Sequence, residues 1–173
     1  MRTVWVVLAT GFVAAACLAW SLRIPAGDQW FYPATFILAA VYIIGSSTAV
    51  RMTGERLPSA VTPRGLCYAV LDHARVGSLV VTALTTTVNG VAEETYYRGA
   101  LWRVLPRGRR ILVTTVACTP VTSLAGIPLL ALAAAALGAL VGWLRERTRS
   151  LLPCVVAHLI WSLTMLFVLP SVV

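Results

Sequence analysis

Charged side chains are scarce in this sequence. Only 12% of its 173 residues are charged, six residues are acidic, and the basic residues are all arginine because lysine is absent. A soluble domain of this length carries about twice that fraction of charge. The low charge and the mean hydropathy of +0.85 exclude an ordinary soluble domain and indicate a membrane protein. Basic loops beside apolar segments are typical of membrane orientation and of contact with membrane lipid, so we predict no nucleic-acid partner.

Residues that bind metals or form redox pairs are also few. The sequence has four cysteines without a CxxC pair and two histidines without an HExxH motif. Neither a zinc knuckle nor a redox dithiol is indicated by this pattern. We therefore predict no cofactor and no metal ligands, and a zinc ion is the one metal that the pattern leaves open.

Long apolar runs predict an all-α fold, a polytopic membrane helical bundle. At about 20 residues per crossing the chain has room for about six transmembrane helices. We expect a single membrane domain over residues 1–173, placed multi-pass in the plasma membrane. The first run is longer than a usual signal core, so we expect it to remain as a helix. Helices are predicted over residues 4–20, 30–50, 76–105 and 150–173, with two more between 111 and 144 that are joined by a turn near 123–128.

Arginines flank the predicted pair of helices between residues 111 and 144. If these helices form a hairpin, residues 107–110 and 145–149 lie on one membrane face. The positive-inside tendency makes that face cytoplasmic.

The connection over residues 51–75 is the longest, contains His73, and could hold an interfacial helix over 65–75. If residues 76–105 cross the membrane once, the arginines of this connection fall on the face opposite the other basic loops. A bend or re-entrant passage at Asn89 and Gly90 would bring the two basic regions to one face. The sequence leaves both topologies open.

Two adjacent carboxylates, Glu93 and Glu94, end a long apolar run. An ionisable pair in a membrane segment is costly and therefore indicates a functional site. Glu94 and Arg98 are four residues apart on one helix face and are predicted to pair. Glu93 points about 100° away, toward the face of Tyr96 and Tyr97, whose hydroxyls could donate hydrogen bonds. Glu93 could then serve as a general base acting on water.

Depth along the helices brings His158 to the level of Glu93. Glu93 lies ten residues from Arg103 and His158 lies nine residues from Arg149, which corresponds to about 15 Å and about 13 Å from the basic face. His158 could orient the water or stabilise an oxyanion, and Ser162 follows it by one turn. Alternatives stay open: an intramembrane carboxylate can also be a structural ion-pair partner, a proton relay or part of a transport path, and a lone histidine can simply be packed.

Residues 93–99 read Glu-Glu-Thr-Tyr-Tyr-Arg-Gly, an EExxxRG pattern. Residues 138–158 form a small-residue helix, a basic turn and a helix that carries a histidine. Together these segments resemble the CAAX-protease and bacteriocin-processing family of intramembrane proteases. The resemblance covers about residues 76–167, which we treat as the family-like core.

The resemblance implies hydrolysis of a peptide bond inside the membrane, in a peptide or membrane-protein substrate. Glu93 would be the base that activates water, and Glu94 and Arg98 would be a supporting pair. His158 would help position the water or the oxyanion. Members of the family have been described both as metalloproteases and as glutamate-dependent proteases without a metal cage.

Two positions depart from the family pattern. The family has an FxxxH motif on the next helix, where this chain has only Thr119, Thr122 and Ser123 at matching depth. The family usually has asparagine or aspartate where this chain has Ser162. Loss of a histidine that does acid–base work lowers the rate by about 10²–10⁴. A second hypothesis is therefore a catalytically degenerate member that binds a membrane partner, as an assembly or immunity factor.

Overall fold

The computed structural model describes residues 1–21, 23–24, 28, 30–53, 79–123 and 128–172. In this part of the chain it contains helices and no strand, which confirms the predicted all-α helical bundle. We number six helices in chain order. They are α1 (Arg2–Ser21), α2 (Phe31–Thr53), α3 (Leu79–Glu94, continued by Thr95–Leu101 and Trp102–Val104), α4 (Arg110–Ser123), α5 (Pro128–Thr148) and α6 (Leu152–Val172). His73 and the predicted interfacial helix 65–75 lie outside the described residues.

Two of the described helices have the length and composition of membrane spans. By length and hydropathy, α1 and α2 are long and apolar enough to cross a membrane, and the stretch Leu152–Phe167 of α6 is apolar but shorter. In α3 the apolar run is interrupted by Glu93, Glu94 and Arg98. That the chain forms one domain over residues 1–173 stays a prediction.

Helix α3 does not bend at Asn89 and Gly90, although a bend there was one of the two alternatives that the sequence left open. Residues Leu79–Glu94 form one uninterrupted α-helix, in which the Asn89 side-chain amide donates to the Thr85 carbonyl at 3.0 Å. Gly90 has a packing role instead. A Cβ on Gly90 would lie 3.1 Å from Leu159 and 3.5 Å from the His158 ring, so the absent side chain lets α6 approach α3 closely.

The irregular part of α3 comes directly after the two glutamates. Thr95–Leu101 forms a π-helix, and all seven of its residues are buried. Short π-helical turns inside α-helices are rare and occur often at functional sites. The wider turn therefore coincides with the segment that carries Arg98 and the two tyrosines.

Helices α2 and α3 run in parallel. Thr35, near the start of α2, lines a cavity with Thr82 and Thr85 near the start of α3, whereas Tyr42 contacts Tyr97 further along both helices. The C-terminus of α2, with Arg51, therefore lies at the same end of the bundle as the C-terminus of α3. We call this the basic end. The residues that join α2 to α3 lie in the part of the chain that the structure does not describe.

A tyrosine cluster packs α3 against the first two helices. The Tyr96 hydroxyl donates to the Val7 carbonyl of α1 at 2.9 Å, and the Tyr97 and Tyr42 hydroxyls are 3.3 Å apart. A Cβ on Gly11 would overlap the Tyr96 hydroxyl. The small residue in α1 therefore makes room for the tyrosine, and all three tyrosines are at most 4% exposed.

Helices α4 and α5 form the predicted hairpin. A Cβ on Gly138 of α5 would lie 3.2 Å from Cys118 and Thr115 of α4 and 3.4 Å from the Arg98 guanidinium. Glycine at this position allows the two helices and Arg98 to meet. The hairpin brings its two arginine-rich ends to the basic end, as predicted. Whether that end is cytoplasmic stays a prediction.

Candidate active site

Glu94 is the centre of a buried polar cluster. Its side chain is fully buried, and its Oε1 atom accepts a hydrogen bond from Arg98 Nη1 at 3.0 Å. The same oxygen contacts His158 Nδ1 of α6 at 2.8 Å. The predicted pair of Glu94 and Arg98 is therefore present, but it has a third member that sequence spacing did not reveal.

Arg98 connects this cluster to α5. Its Nη2 atom donates to the Gly138 carbonyl at 3.0 Å, and its own carbonyl accepts from Arg145 Nε at 3.0 Å. Breaking a buried ion pair by removing one partner is strongly destabilising, because the other charge is left without compensation. The cluster therefore holds α3, α5 and α6 in a defined register.

Glu93 and His158 face each other beside this cluster. Glu93 Oε2 lies 4.0 Å from His158 Nε2, and the two side chains are 32% and 14% exposed. Counting residues from the basic ends of the two helices thus predicted correctly that Glu93 and His158 lie at the same level. The distance is too long for a direct hydrogen bond. One water molecule could contact both atoms, because two hydrogen bonds of about 2.8 Å can span this gap.

Two cavities meet at this pair. One, of about 200 Å³, lies toward α5, and its lining includes Glu93, Glu94, Cys118, His158 and Ser162. The other, of about 310 Å³, lies toward α2. Glu93, His158 and Ser162 line both cavities. A group held between Glu93 and His158 is therefore reachable from either side.

The cavity toward α2 has a partly polar wall. It is lined by the threonines Thr35, Thr82, Thr85 and Thr86 together with Asn89. The Asn89 Oδ1 atom is buried and accepts no hydrogen bond from the described residues. Extended peptide has free backbone N–H groups, which require such acceptors when they leave water.

The predicted supporting residues Ser162 and Tyr97 lie in different surroundings. Ser162 lines both cavities, next to His158. Tyr97 instead turns its hydroxyl to Tyr42, and it is not part of either cavity wall. Its ring lies 5.7 Å from the Arg98 guanidinium carbon. The Tyr97 hydroxyl therefore lies in the tyrosine cluster, and a supporting role for Tyr97 stays a prediction.

A family model for the Type II CAAX prenyl endopeptidases, Rce1-like, matches residues 75–164, just over half of the chain. The chain belongs to this family. The match confirms the resemblance that the EExxxRG pattern indicated, and it places the protein among membrane-embedded proteases. No curated protein and no solved structure matches the chain.

The helix that carries a histidine in this family brings a cysteine to the site here. From α4, the cavity toward α5 is lined by Cys118. Thr119, one of the predicted substitutes, directs its hydroxyl to the Thr115 carbonyl at 2.8 Å. The side chains of Thr122 and Ser123 lie outside the described set. Sequence reasoning missed Cys118 because its depth alone does not show which face of α4 meets the glutamates.

The site does not fit a protein-bound metal. Among the described residues no group of three His, Cys, Asp or Glu side chains could hold a metal ion. Glu94 Oε1 is already engaged with Arg98 and His158. A catalytic zinc site in a protein normally needs three protein ligands. We therefore derive no step through a metal.

Proposed function

We propose that this protein is an intramembrane endopeptidase in which Glu93 activates a water molecule to hydrolyse a peptide bond of a membrane-associated substrate. The observation that carries the proposal is the 4.0 Å gap between Glu93 Oε2 and His158 Nε2 at the junction of two cavities. A water in this gap would donate one hydrogen to each atom. Its lone pairs would then be free to attack a carbonyl carbon.

The reaction begins when Glu93 takes a proton from this water as the new C–O bond forms. The peptide C–N bond then breaks, and Glu93 returns the proton to the leaving nitrogen. The products are a carboxyl terminus and an amine. Glu93 therefore acts first as a base and then as an acid, and its carboxylate is restored at the end of the reaction.

His158 orients the water, and Glu94 is a positioning residue. The contact of Nδ1 with the Glu94 carboxylate at 2.8 Å favours the tautomer with hydrogen on Nδ1. The other ring nitrogen, Nε2, is then an acceptor that faces Glu93. A carboxylate that orients a histidine in this way is also part of the Ser-His-Asp triad. Arg98 balances the charge of Glu94.

The test is cleavage of quenched-fluorescent peptides by the purified full-length protein in proteoliposomes. One peptide carries a farnesylated cysteine in a CaaX-type tail, because the family description names prenyl endopeptidases, and its partner has the same sequence without the lipid. We expect Glu93→Gln to lower kcat by about 10²–10⁴. Asp28→Asn is the control, because Asp28 is not among the described lining residues of the cavities and its amide replacement keeps the oxygen that accepts from the Trp30 N–H at 2.9 Å. Equal rates for Glu93→Gln and the parent would refute the assignment.

One observation favours a second function, a non-catalytic membrane partner in assembly or immunity. The described residues of α4 carry no histidine, and Cys118 faces the site instead. The cluster of Glu94, Arg98 and His158 would persist in such a protein because it stabilises the bundle. Absence of cleavage with every peptide, together with a stoichiometric membrane-protein complex in detergent, would support this function. Both functions place the chain in the plasma membrane as a multi-pass protein, which membrane fractionation would check.

A further inference from the structure

A third cavity lies at the basic end of the bundle, away from Glu93. Its volume is about 450 Å³, and Glu93, Glu94 and His158 are not among its described lining residues. Its described lining residues carry a net charge of +4, from five arginines and one glutamate. They are Arg103, Arg107, Arg110, Arg145, Arg149 and Glu146, together with Trp102. The positive-inside tendency explains an excess of arginine at one face. It does not explain why arginines from three segments converge on one concave site.

Two of these arginines are held in place by the fold. Arg110 Nε donates to the Leu105 carbonyl at 3.2 Å, and the Arg110 guanidinium carbon lies 5.8 Å from the centre of the Trp102 ring. Arg145 Nε donates to the Arg98 carbonyl at 3.0 Å. Side chains that are already ordered lose less entropy when they bind a ligand. The cavity is thus partly preorganised for an anion.

Three of the arginines occupy positions that are unfavourable for arginine. Arg107 and Arg110 lie at the N-terminal end of α4, which has no acidic residue in its first turn. The helix dipole disfavours positive charge there and favours an anion. Arg149, just after α5, has φ 55°, and this left-handed conformation normally belongs to glycine or asparagine. A bound anion would offset the unfavourable positive charge at the start of α4.

Exposed apolar side chains follow two of the cavity's arginines in the sequence. Leu112, in the first turn of α4, is 65% exposed, and Leu152, at the start of α6, is 69% exposed. An anion with attached acyl chains could place its charge in the cavity and its chains against such exposed side chains, whereas a soluble anion would use the cavity alone.

We propose that the basic cavity binds the phosphodiester group of an anionic phospholipid. The guanidinium fork matches the oxygen geometry of phosphate, which arginine binds through paired hydrogen bonds. Basic pockets between helices at one membrane face are suited to such headgroups. The lipid would bridge the start of α4 and the end of α5, and Arg145 would connect it to the Arg98 carbonyl in the π-helix.

Native mass spectrometry of the full-length protein in neutral detergent tests the proposal. The probes are phosphatidylglycerol, phosphatidylcholine and soluble sn-glycerol 3-phosphate. We expect one phosphatidylglycerol to bind saturably and at least about tenfold more tightly than phosphatidylcholine. Both headgroups carry the phosphodiester, but the choline cation of phosphatidylcholine is repelled by the net positive charge of the cavity. Equal affinity for the two lipids would overturn the proposal. Equal affinity for glycerol phosphate and phosphatidylglycerol would overturn the assignment to a lipid.

Matched variants locate the site. Arg107→Gln with Arg149→Gln removes two exposed arginines of the cavity, and we expect phosphatidylglycerol to bind at least about tenfold more weakly. Arg2→Gln with Arg51→Gln removes two exposed arginines that are not among the described lining residues. Both lie toward the basic end, because α1 and α2 are antiparallel: Thr10 packs against Gly45, while Leu18 and Phe31 line one cavity. An equal loss with this control pair would show a diffuse charge effect and refute the cavity.

A second variant guards against misfolding. Arg149→Gly removes the side chain and places glycine in the left-handed conformation that it adopts readily. We expect this variant to melt no lower than the parent and still to lose affinity for phosphatidylglycerol. Unchanged affinity in Arg149→Gly would contradict the role of Arg149 in the site.

Discussion

Replacement of Glu94 by glutamine is the change to which the bundle should be most sensitive. Glu94 is fully buried, and its Oε1 atom serves both Arg98 and His158. The amide keeps the shape but removes the charge, so the Arg98 guanidinium is left buried without its counter-charge. Breaking a buried pair in this way costs about 3–5 kcal/mol. At about 2–4 °C for each kcal/mol in a chain of this size, the melting temperature should fall by roughly 6–20 °C.

The matched variant is Glu93→Gln, one residue away in the same helix. Glu93 is about a third exposed, and among the described residues its ion-pair contact is His158 at 4.0 Å. We expect this variant to melt within about 4 °C of the parent, since exposed pairs contribute at most about 1 kcal/mol. Thermal unfolding of the purified proteins in one detergent, followed by tryptophan fluorescence, provides the comparison. The two neighbouring glutamates should therefore separate into a structural and a functional position.

A third variant tests the reason for the loss. If the cost of Glu94→Gln comes from an uncompensated guanidinium, then Glu94→Gln with Arg98→Met should recover part of the stability, because a buried ion pair can be replaced by apolar groups at little cost. Recovery should be partial, because the thioether side chain introduced by Arg98→Met cannot donate to the Gly138 carbonyl. Equal melting temperatures for Glu94→Gln and Glu93→Gln would contradict the structural role of Glu94. A double variant that is less stable than Glu94→Gln would contradict the uncompensated Arg98 guanidinium as the cause.

Further predictions concern packing and chemistry. Gly138→Ala should lower the melting temperature, because its Cβ would crowd Cys118 and Thr115 at 3.2 Å, whereas Gly99→Ala should not, because the nearest atom lies at 4.0 Å. Tyr96→Phe should destabilise the protein by about 0.5–1.5 kcal/mol in denaturant unfolding, because the buried hydrogen bond from the Tyr96 hydroxyl to the Val7 carbonyl is lost. Chelation with 1,10-phenanthroline should leave peptide cleavage unchanged, since the described residues include no three-ligand metal group. Cys118→His should raise the cleavage rate, because it places an imidazole in the cavity that contains Glu93, and an unchanged rate would argue against the missing histidine as the limiting feature.

Helical periodicity and depth were sufficient to predict part of the site. The pairing of Glu94 with Arg98 follows from a spacing of four residues, and the common level of Glu93 and His158 follows from counting rise along two helices. Neither rule shows how far α6 is rotated about its own axis. That rotation decides that His158 Nδ1 meets Glu94 while Nε2 faces Glu93.

Tertiary packing also overrode two indications that came from the local sequence. Asn89 and Gly90 form a common turn pair, yet the helix continues through them because Gly90 accepts the His158 ring and Leu159 against its backbone. Tyr97 was expected beside Glu93 from an ideal α-helical wheel. The π-helix over Thr95–Leu101 departs from that wheel, and Tyr97 pairs with Tyr42 instead. Periodicity assumes one helix geometry, so it fails where the geometry changes.

The same geometry explains why the ion-paired half of the motif is weak evidence for catalysis. Glu94 and Arg98 contact α5 and α6 through buried hydrogen bonds, so their loss would destabilise the protein whether or not it cleaves peptides. Glu93 makes no comparable contact among the described residues, and its side chain borders two cavities. An ionisable side chain inside a membrane carries an energetic cost, so a carboxylate there that neither stabilised the bundle nor took part in function would be unfavourable. Glu93, rather than the ion pair, is therefore the position at which activity and stability can be separated.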